Sequence, residues 1–266
     1  MSRRLARCLA VARIEFKVAL AYRSAYLSVF VMMLLQIFLL RVVWAAFYGD
    51  RGEVGGVGIR TMTAYATLAT VQYTLFSPWQ LSPIEQRVRD GKVAVDLLRP
   101  VGFPSQMLAG QLGWASASVP ALLIALPFAL LIGTAEAPAS AVATVAYPVA
   151  LAGALVVNQL LFLLLGMVAF WTLEISGLRM VYRFVAQFFS GALVPLWFMP
   201  CPVKAVAQAL PFQATSYIPA AVYLGQIEGT EVAAALGVQL FWAAALSAIT
   251  AGVWSRARRR VLVQGG

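Results

Sequence analysis

Seven charges fall within residues 82–100 of a chain that carries few elsewhere: Glu85, Arg87, Arg89, Asp90, Lys92, Asp96 and Arg99. Their types and spacing suit recognition rather than bond-making. Glu85 and Arg89 stand at i and i+4, acid first, which supports a short helix, and Gly91 interrupts it. Lys92, Asp96 and Arg99 form a second charged patch, with Val93, Val95, Leu97 and Leu98 as apolar contacts and Pro100 as the stop. Apolar anchors ringed by charge seat a helix in a partner's groove and fix its register. The spacing predicts that Arg89 and Asp96 face water. An ordinary solvated loop is the competing description.

Other chemistry is poorly supplied. The 266 residues include no histidine, which removes imidazole acid–base chemistry and His-ligated metal sites. A phosphate-cradling loop needs G-x-x-x-x-G-K-[ST]. The pair Gly91-Lys92 is followed by Val93, and Gln86 stands where the first glycine belongs. No nucleotide site of that type, and no catalytic, cofactor or metal residue, is expected in this chain.

The elements that position the charged segment are apolar. The chain is 62% hydrophobic and 11% charged, where a soluble domain carries about a quarter charged residues. Runs of ~20 apolar residues match the ~30 Å hydrocarbon thickness of a bilayer. Six spans are predicted: Tyr26–Tyr48, Met62–Leu81, Met107–Gly133, Ala141–Trp171, Val181–Met199 and Val232–Trp254. Pro120, Pro127 and Pro148 should kink the third and fourth. The run from Tyr26 is too long and too far downstream for a cleaved signal peptide and reads as a retained anchor.

Residues 2–24 form a basic amphipathic interfacial helix, with Leu5, Leu9, Ala12, Phe16 and Leu20 on one stripe and Arg3, Arg4, Arg7, Arg13 and Lys17 away from it. Twenty Lys and Arg residues fix the orientation. With both termini cytoplasmic, the outer loops hold only Arg51, Arg60 and Lys204, and all the others except Arg41 lie inside. Arg41 sits within the first span, where snorkelling or a structural pair is favoured over a substrate role. The net charge of +10 therefore reads as a topology signal and not as a nucleic-acid surface. Cys8 and Cys201 fall on opposite sides of the membrane, so no disulfide is expected between them.

Residues 200–223 are apolar but carry Pro202, Pro211 and Pro219, which forbids a regular span. One or two short helices folded back into the outer leaflet are predicted there. Gln36, Gln72, Asn158, Gln159 and Gln187 are expected to make interhelical hydrogen bonds rather than to line a path. Trp44, Tyr48, Trp171, Trp197 and Trp254 read as interfacial belts.

Three segments resemble ABC type-2 membrane permeases. Residues Arg89 to Val101 are similar to that family's G-x-(hydrophobic)-x-x-x-L-L-R-P-V signature. Ser190-Gly191, Pro195-Leu196 and Pro200, then Leu210-Pro211-Phe212, Tyr217, Pro219 and Gly225, resemble its late pattern. Glu15-Phe16-Lys17 with Tyr22-Arg23 fits its opening helix. The resemblance implies an all-α integral membrane protein: a single transmembrane permease domain over 1–266, with six helices, the interfacial helix and a re-entrant outer hairpin before the last span. It implies a multi-pass exporter subunit of a prokaryotic-type plasma membrane, paired with a second permease that is a copy of itself or a related chain. ABC ATPase subunits holding ATP and Mg would dock on Glu85, Arg89, Asp90, Gly91, Lys92, Asp96, Leu97, Leu98 and Arg99. Pro195, Pro200, Pro211, Phe212, Tyr217 and Pro219 would form the hairpin bordering the outer end of the path. An ion-coupled secondary transporter is the first alternative, but all ten acidic residues lie in loops or near span ends. A membrane-embedded enzyme is the second.

Overall fold

The computed structural model describes residues 3–21, 23–76 and 83–264, leaving aside the side chains at 3–5, 20, 23–26, 83, 121–122 and 261–264. Ser2 at the start of the predicted interfacial helix, Tyr22 within it, the second span's end at Leu81, and the stripe side chains Leu5 and Leu20 fall outside that description.

Among the described residues the fold is helical apart from one hairpin. Helix α1 spans Arg3–Ala21 and α2 Arg23–Tyr48, so residues 23 and 24 belong to the first long apolar helix and not to the amphipathic one. Strands β1 (Glu53–Val54) and β2 (Val57–Gly58) pair antiparallel around Gly55 and Gly56, whose positive φ of 59° and 78° is the twist a two-residue hairpin turn requires. Sequence patterning did not predict this hairpin, because four residues are too few to show alternation. Helix α3 runs Ile59–Phe76. Its threonines bond backward to their own helix, Thr63 to Ile59 O, Thr67 to Thr63 O, Thr70 to Ala66 O and Thr74 to Thr70 O, all at 2.8–3.0 Å. A polar-looking helix is thereby satisfied internally and can be buried.

The predicted third span is two helices, α6 (Phe103–Ala117) and α7 (Pro120–Leu131). Pro120 opens α7 at its first turn, where a missing N–H costs nothing, so the expected kink is a break. Helix α8 (Ala141–Met167) is capped by Ser140, whose hydroxyl accepts from Ala143 N at 3.0 Å, and it keeps Pro148 inside. A short α9 (Ala169–Thr172) follows, then α10 (Ser176–Phe189), α11 (Cys201–Ala209), α12 (Tyr217–Tyr223) and α13 (Thr230–Gln264).

Among the described residues three helices are long and apolar enough to cross a bilayer: Leu27–Tyr48, Ala141–Thr172 and Thr230–Arg260. The protein is a membrane protein. The predicted fifth span, Val181–Met199, differs most. Its helix α10 has 14 residues, which at about 1.5 Å each fall short of a full crossing. It stops because Gly191 turns the chain at φ 79° and the Tyr65 hydroxyl seals that turn, donating to Gly191 O at 2.9 Å. A Cβ at Gly191 would lie 2.8 Å from both the Tyr65 hydroxyl and the Leu196 side chain. The glycine of the late motif is therefore a steric necessity.

The core sits between α8, α12 and α13, where Val157, Leu160, Ile218, Val222 and Leu246 pack together. Gln239 of α13 ties that helix to α8 and to the turn before α12, its amide donating to Ala150 O and Ala214 O, both at 2.9 Å. Helix α12 of the 200–223 segment, with Pro219, is buried in this core, whereas much of α11 is exposed. Of the aromatics read as interfacial belts, Tyr48 packs inside the protein and Trp254 is half-buried. Tyr48 is fully buried with its hydroxyl donating to Val57 O at 3.0 Å, and Trp254 stacks on Phe103 at 4.9 Å.

Candidate functional site: the charged segment and the cavity beside it

The charged segment folds as two short helices, α4 (Pro83–Arg89) and α5 (Val93–Leu97), with Gly91 between them at φ 69°. Its apolar side chains do two jobs. Ile84 and Val93 are buried against Phe103 and Met107 of α6, Leu163 and Met167 of α8, and Ala257 of α13. Val95, Leu97 and Leu98 point outward at 60%, 38% and 84% exposure. Val93 is thus part of the seat, while the other three predicted contacts remain free.

The charges divide the same way. Arg89, Asp90, Lys92 and Arg99 are exposed, and Lys92 pairs with Asp90 at 2.8 Å. Glu85 and Asp96 are not on that surface. Glu85 does not serve Arg89 but is buried: one carboxylate oxygen accepts from Arg179 Nη1 at 2.7 Å and the other from the backbone N–H of Ile175 at 3.2 Å. It clamps the junction between α9 and α10, where Leu173 holds a strained φ of 61°. Asp96, expected in water, has a side chain 2% exposed. Both its oxygens accept from Arg87 Nη1, at 2.8 and 2.7 Å, and Arg99 stands at 3.6 Å. The correction has one cause. Burying Val93 carries Asp96, three residues on, to the same inward face, and two arginines neutralise it there.

Arg87, which sequence reasoning left out of the site, joins the segment to α1. It reaches Glu15 at 3.9 Å, and Glu15 accepts from the Trp114 indole of α6 at 3.1 Å. Arg7 of α1 donates to Pro100 O at 3.0 Å. The face of α1 turned inward carries Val11, Ala12, Glu15, Phe16 and Ala19, while Leu9 of the predicted stripe is 42% exposed. Gly113 lets the helices meet, since a Cβ there would fall on the Ala12 carbonyl. The segment is therefore mounted on α1, α6, α8, α10 and α13 together.

Beside that mount lies a cavity of about 440 Å³ lined by α2, α3, α8, α10 and the turns at 190–192 and 215–216. Gln36, Asn158 and Gln187 line it, and Asn158 also makes the expected interhelical hydrogen bond, donating to Phe76 O of α3 at 2.8 Å. Gln72 and Gln159 are buried in the protein. Arg179 and Arg183 of α10 also face the cavity. Sequence reasoning had counted them as topology charges; their spacing of four was the signal that could have paired them on one helix face. Arg41 is exposed on α2.

Of the predicted hairpin residues, Pro195, Pro211 and Pro219 are buried, Phe212 and Tyr217 are half-buried and Pro200 is exposed. Tyr217 N–H donates to Ser190 O at 3.0 Å, which joins α12 to the end of α10. No curated protein matches the chain. A sequence model described as ABC-2 family transporter protein matches residues 30–265, nearly the whole chain and including both helices of the charged segment, the cavity walls and the hairpin. The chain belongs to the ABC-2 family of transporter membrane proteins.

Proposed function

We propose that the chain is the membrane permease subunit of an ABC exporter, driven by separate ATPase subunits that bind ATP and Mg and dock on the outward face of residues 89–100. The supporting observation is a division of labour within one segment. Leu98, Leu97 and Val95 stand exposed among Arg89, Lys92 and Arg99, while Ile84, Val93, Glu85 and Asp96 are locked into four helices. A solvated loop has no need of a buried ion pair to hold exposed leucines. A docking surface does, because a push on it must reach the helices without being absorbed.

In this reading the chain forms half of a translocation path, the other half coming from a second permease, and the cavity between α2 and α10 is this chain's share of the wall. The helices form six crossings with both termini in the cytoplasm, α6 with α7 and α10 with the turns after it making the broken ones. The segment 200–223 is a re-entrant hairpin at the outer end. The chain itself carries out no catalysis.

The experiment uses the chain with Cys8 and Cys201 replaced by Ser. Single cysteines at Arg89→Cys and Arg258→Cys should resist an impermeant thiol reagent in sealed cells, and Arg51→Cys and Lys204→Cys should react. Mild-detergent purification of the wild-type chain should bring down a nucleotide-binding subunit. Labelling of Arg89→Cys from outside, or purification with no ATPase under any mild condition, contradicts the proposal.

A further inference from the structure

We infer that the cavity between α2 and α10 takes an amphiphile with an anionic head group, held at Arg183 with help from Arg179; this rests on the permease reading and names its cargo class.

The walls are largely apolar, with Val29, Met32 and Met33 from α2, Phe76 from α3, and Phe162 and Leu165 from α8. Against them α10 sets Arg179 and Arg183, one turn apart on the same helix face. Among the described residues no carboxylate lines the cavity, and residues 77–82 contain none. Arg179 is already matched by Glu85 at 2.7 Å. Arg183 has no ion pair among the described residues, its guanidinium standing 5.9 Å from the Phe184 ring centroid. The cavity therefore carries one uncompensated positive charge beside an apolar slot. Further along, the Ser216 hydroxyl is buried in the lining with no hydrogen-bond partner among the described residues.

Charge decides the head and volume decides the tail. Arg183 is exposed at the cavity, so an anion beside it gains a charge-assisted hydrogen bond, and a cationic head group there meets a like charge. A free inorganic anion would leave most of the roughly 440 Å³ unfilled, while an alkyl chain contributes about 0.8 kcal/mol for each methylene it buries. Head and tail must then be joined in one molecule.

The test measures binding by the full-length chain in phosphatidylcholine nanodiscs, by titration with dodecyl phosphate, dodecyltrimethylammonium and inorganic phosphate. Dodecyl phosphate should bind at least about tenfold more tightly than dodecyltrimethylammonium, the magnitude of one charge-assisted hydrogen bond. Arg183→Gln should weaken dodecyl phosphate about tenfold, and Arg183→Lys, which keeps the charge, should weaken it about threefold or less. Arg89→Gln, on the outward face of the charged segment, should leave it unchanged. Equal binding of the two amphiphiles, displacement by inorganic phosphate at matched concentration, or unchanged affinity in Arg183→Gln overturns the inference. None of these readouts involves an ATPase, so their failure leaves the permease proposal standing. Absence of an ATPase partner would remove the permease proposal and leave the anion site intact.

Discussion

Replacing Glu85 with Ala is expected to destabilise the chain by about 3–5 kcal/mol, the cost of removing one partner from a buried ion pair. Glu85 is 7% exposed and the Arg179 side chain 20%. With the carboxylate gone, Arg179 keeps a charge with no counter-ion in a mostly dry setting. The Ile175 N–H loses its acceptor as well, at the turn that Leu173 already strains. Because Arg179 also borders the cavity, some water can reach it, which favours the lower end of that range. The exchange Glu85→Arg with Arg179→Glu should recover part of the loss, since it restores the pair but not the acceptor for Ile175. Thermal unfolding of the detergent-solubilised protein measures both. A Glu85→Ala protein that melts with wild type would mean that the segment is not clamped to α10.

Asp96→Lys is expected to be more damaging still. The position is enclosed, and both carboxylate oxygens are taken up by Arg87, with Arg99 nearby. A lysine there places a third positive charge between two arginines in a site with little water to screen them. Arg87 would retain only the longer contact to Glu15, so α1 should loosen from the segment. The expected outcome is loss of monodisperse protein on size-exclusion chromatography. Arg89→Glu changes the charge by the same amount at an exposed position and should accumulate normally. Asp96→Asn is the mild control: it still accepts from Arg87 and should cost about 1–3 kcal/mol. Normal behaviour of Asp96→Lys would contradict the burial of this carboxylate.

The legible parts of the sequence were those written locally. Gly91 between two short helices was readable because glycine adopts the φ of 69° found there without steric cost. The proline density of 200–223 announced short helices for the same kind of reason. What could not be read was the partner of each charge. Glu85 meets Arg179 ninety-four residues away, and a spacing rule that pairs it with Arg89 competes with a contact no local pattern encodes. Asp96 was placed in water because sequence shows it beside exposed leucines, while its inward direction depends on where Val93 is seated. Hydropathy drew the third and fifth spans as continuous helices, because a sum over apolar residues does not register the break at Pro120 or the sealed turn at Gly191. Arg183 was hidden by the rule that served best elsewhere: a cation near a span end reads as a topology charge until the cavity beside it is seen.

The central claim is that the outward face of residues 89–100 receives the ATPase, and the most direct measurement is ATP hydrolysis by the reconstituted complex alongside co-purification of its nucleotide-binding subunit. Leu97→Asp with Leu98→Asp leaves the buried seat untouched and removes apolar area, which for two leucines amounts to about 1.5–3 kcal/mol each when fully buried at an interface. The double variant should fold, remain in the membrane, lose most of its bound ATPase and lose amphiphile-stimulated hydrolysis. Neutralising Arg258, Arg259 and Arg260 together, exposed on the last turns of α13, should leave coupling intact. Wild-type hydrolysis and co-purification in the Leu97→Asp, Leu98→Asp chain would show that the ATPase does not bind there.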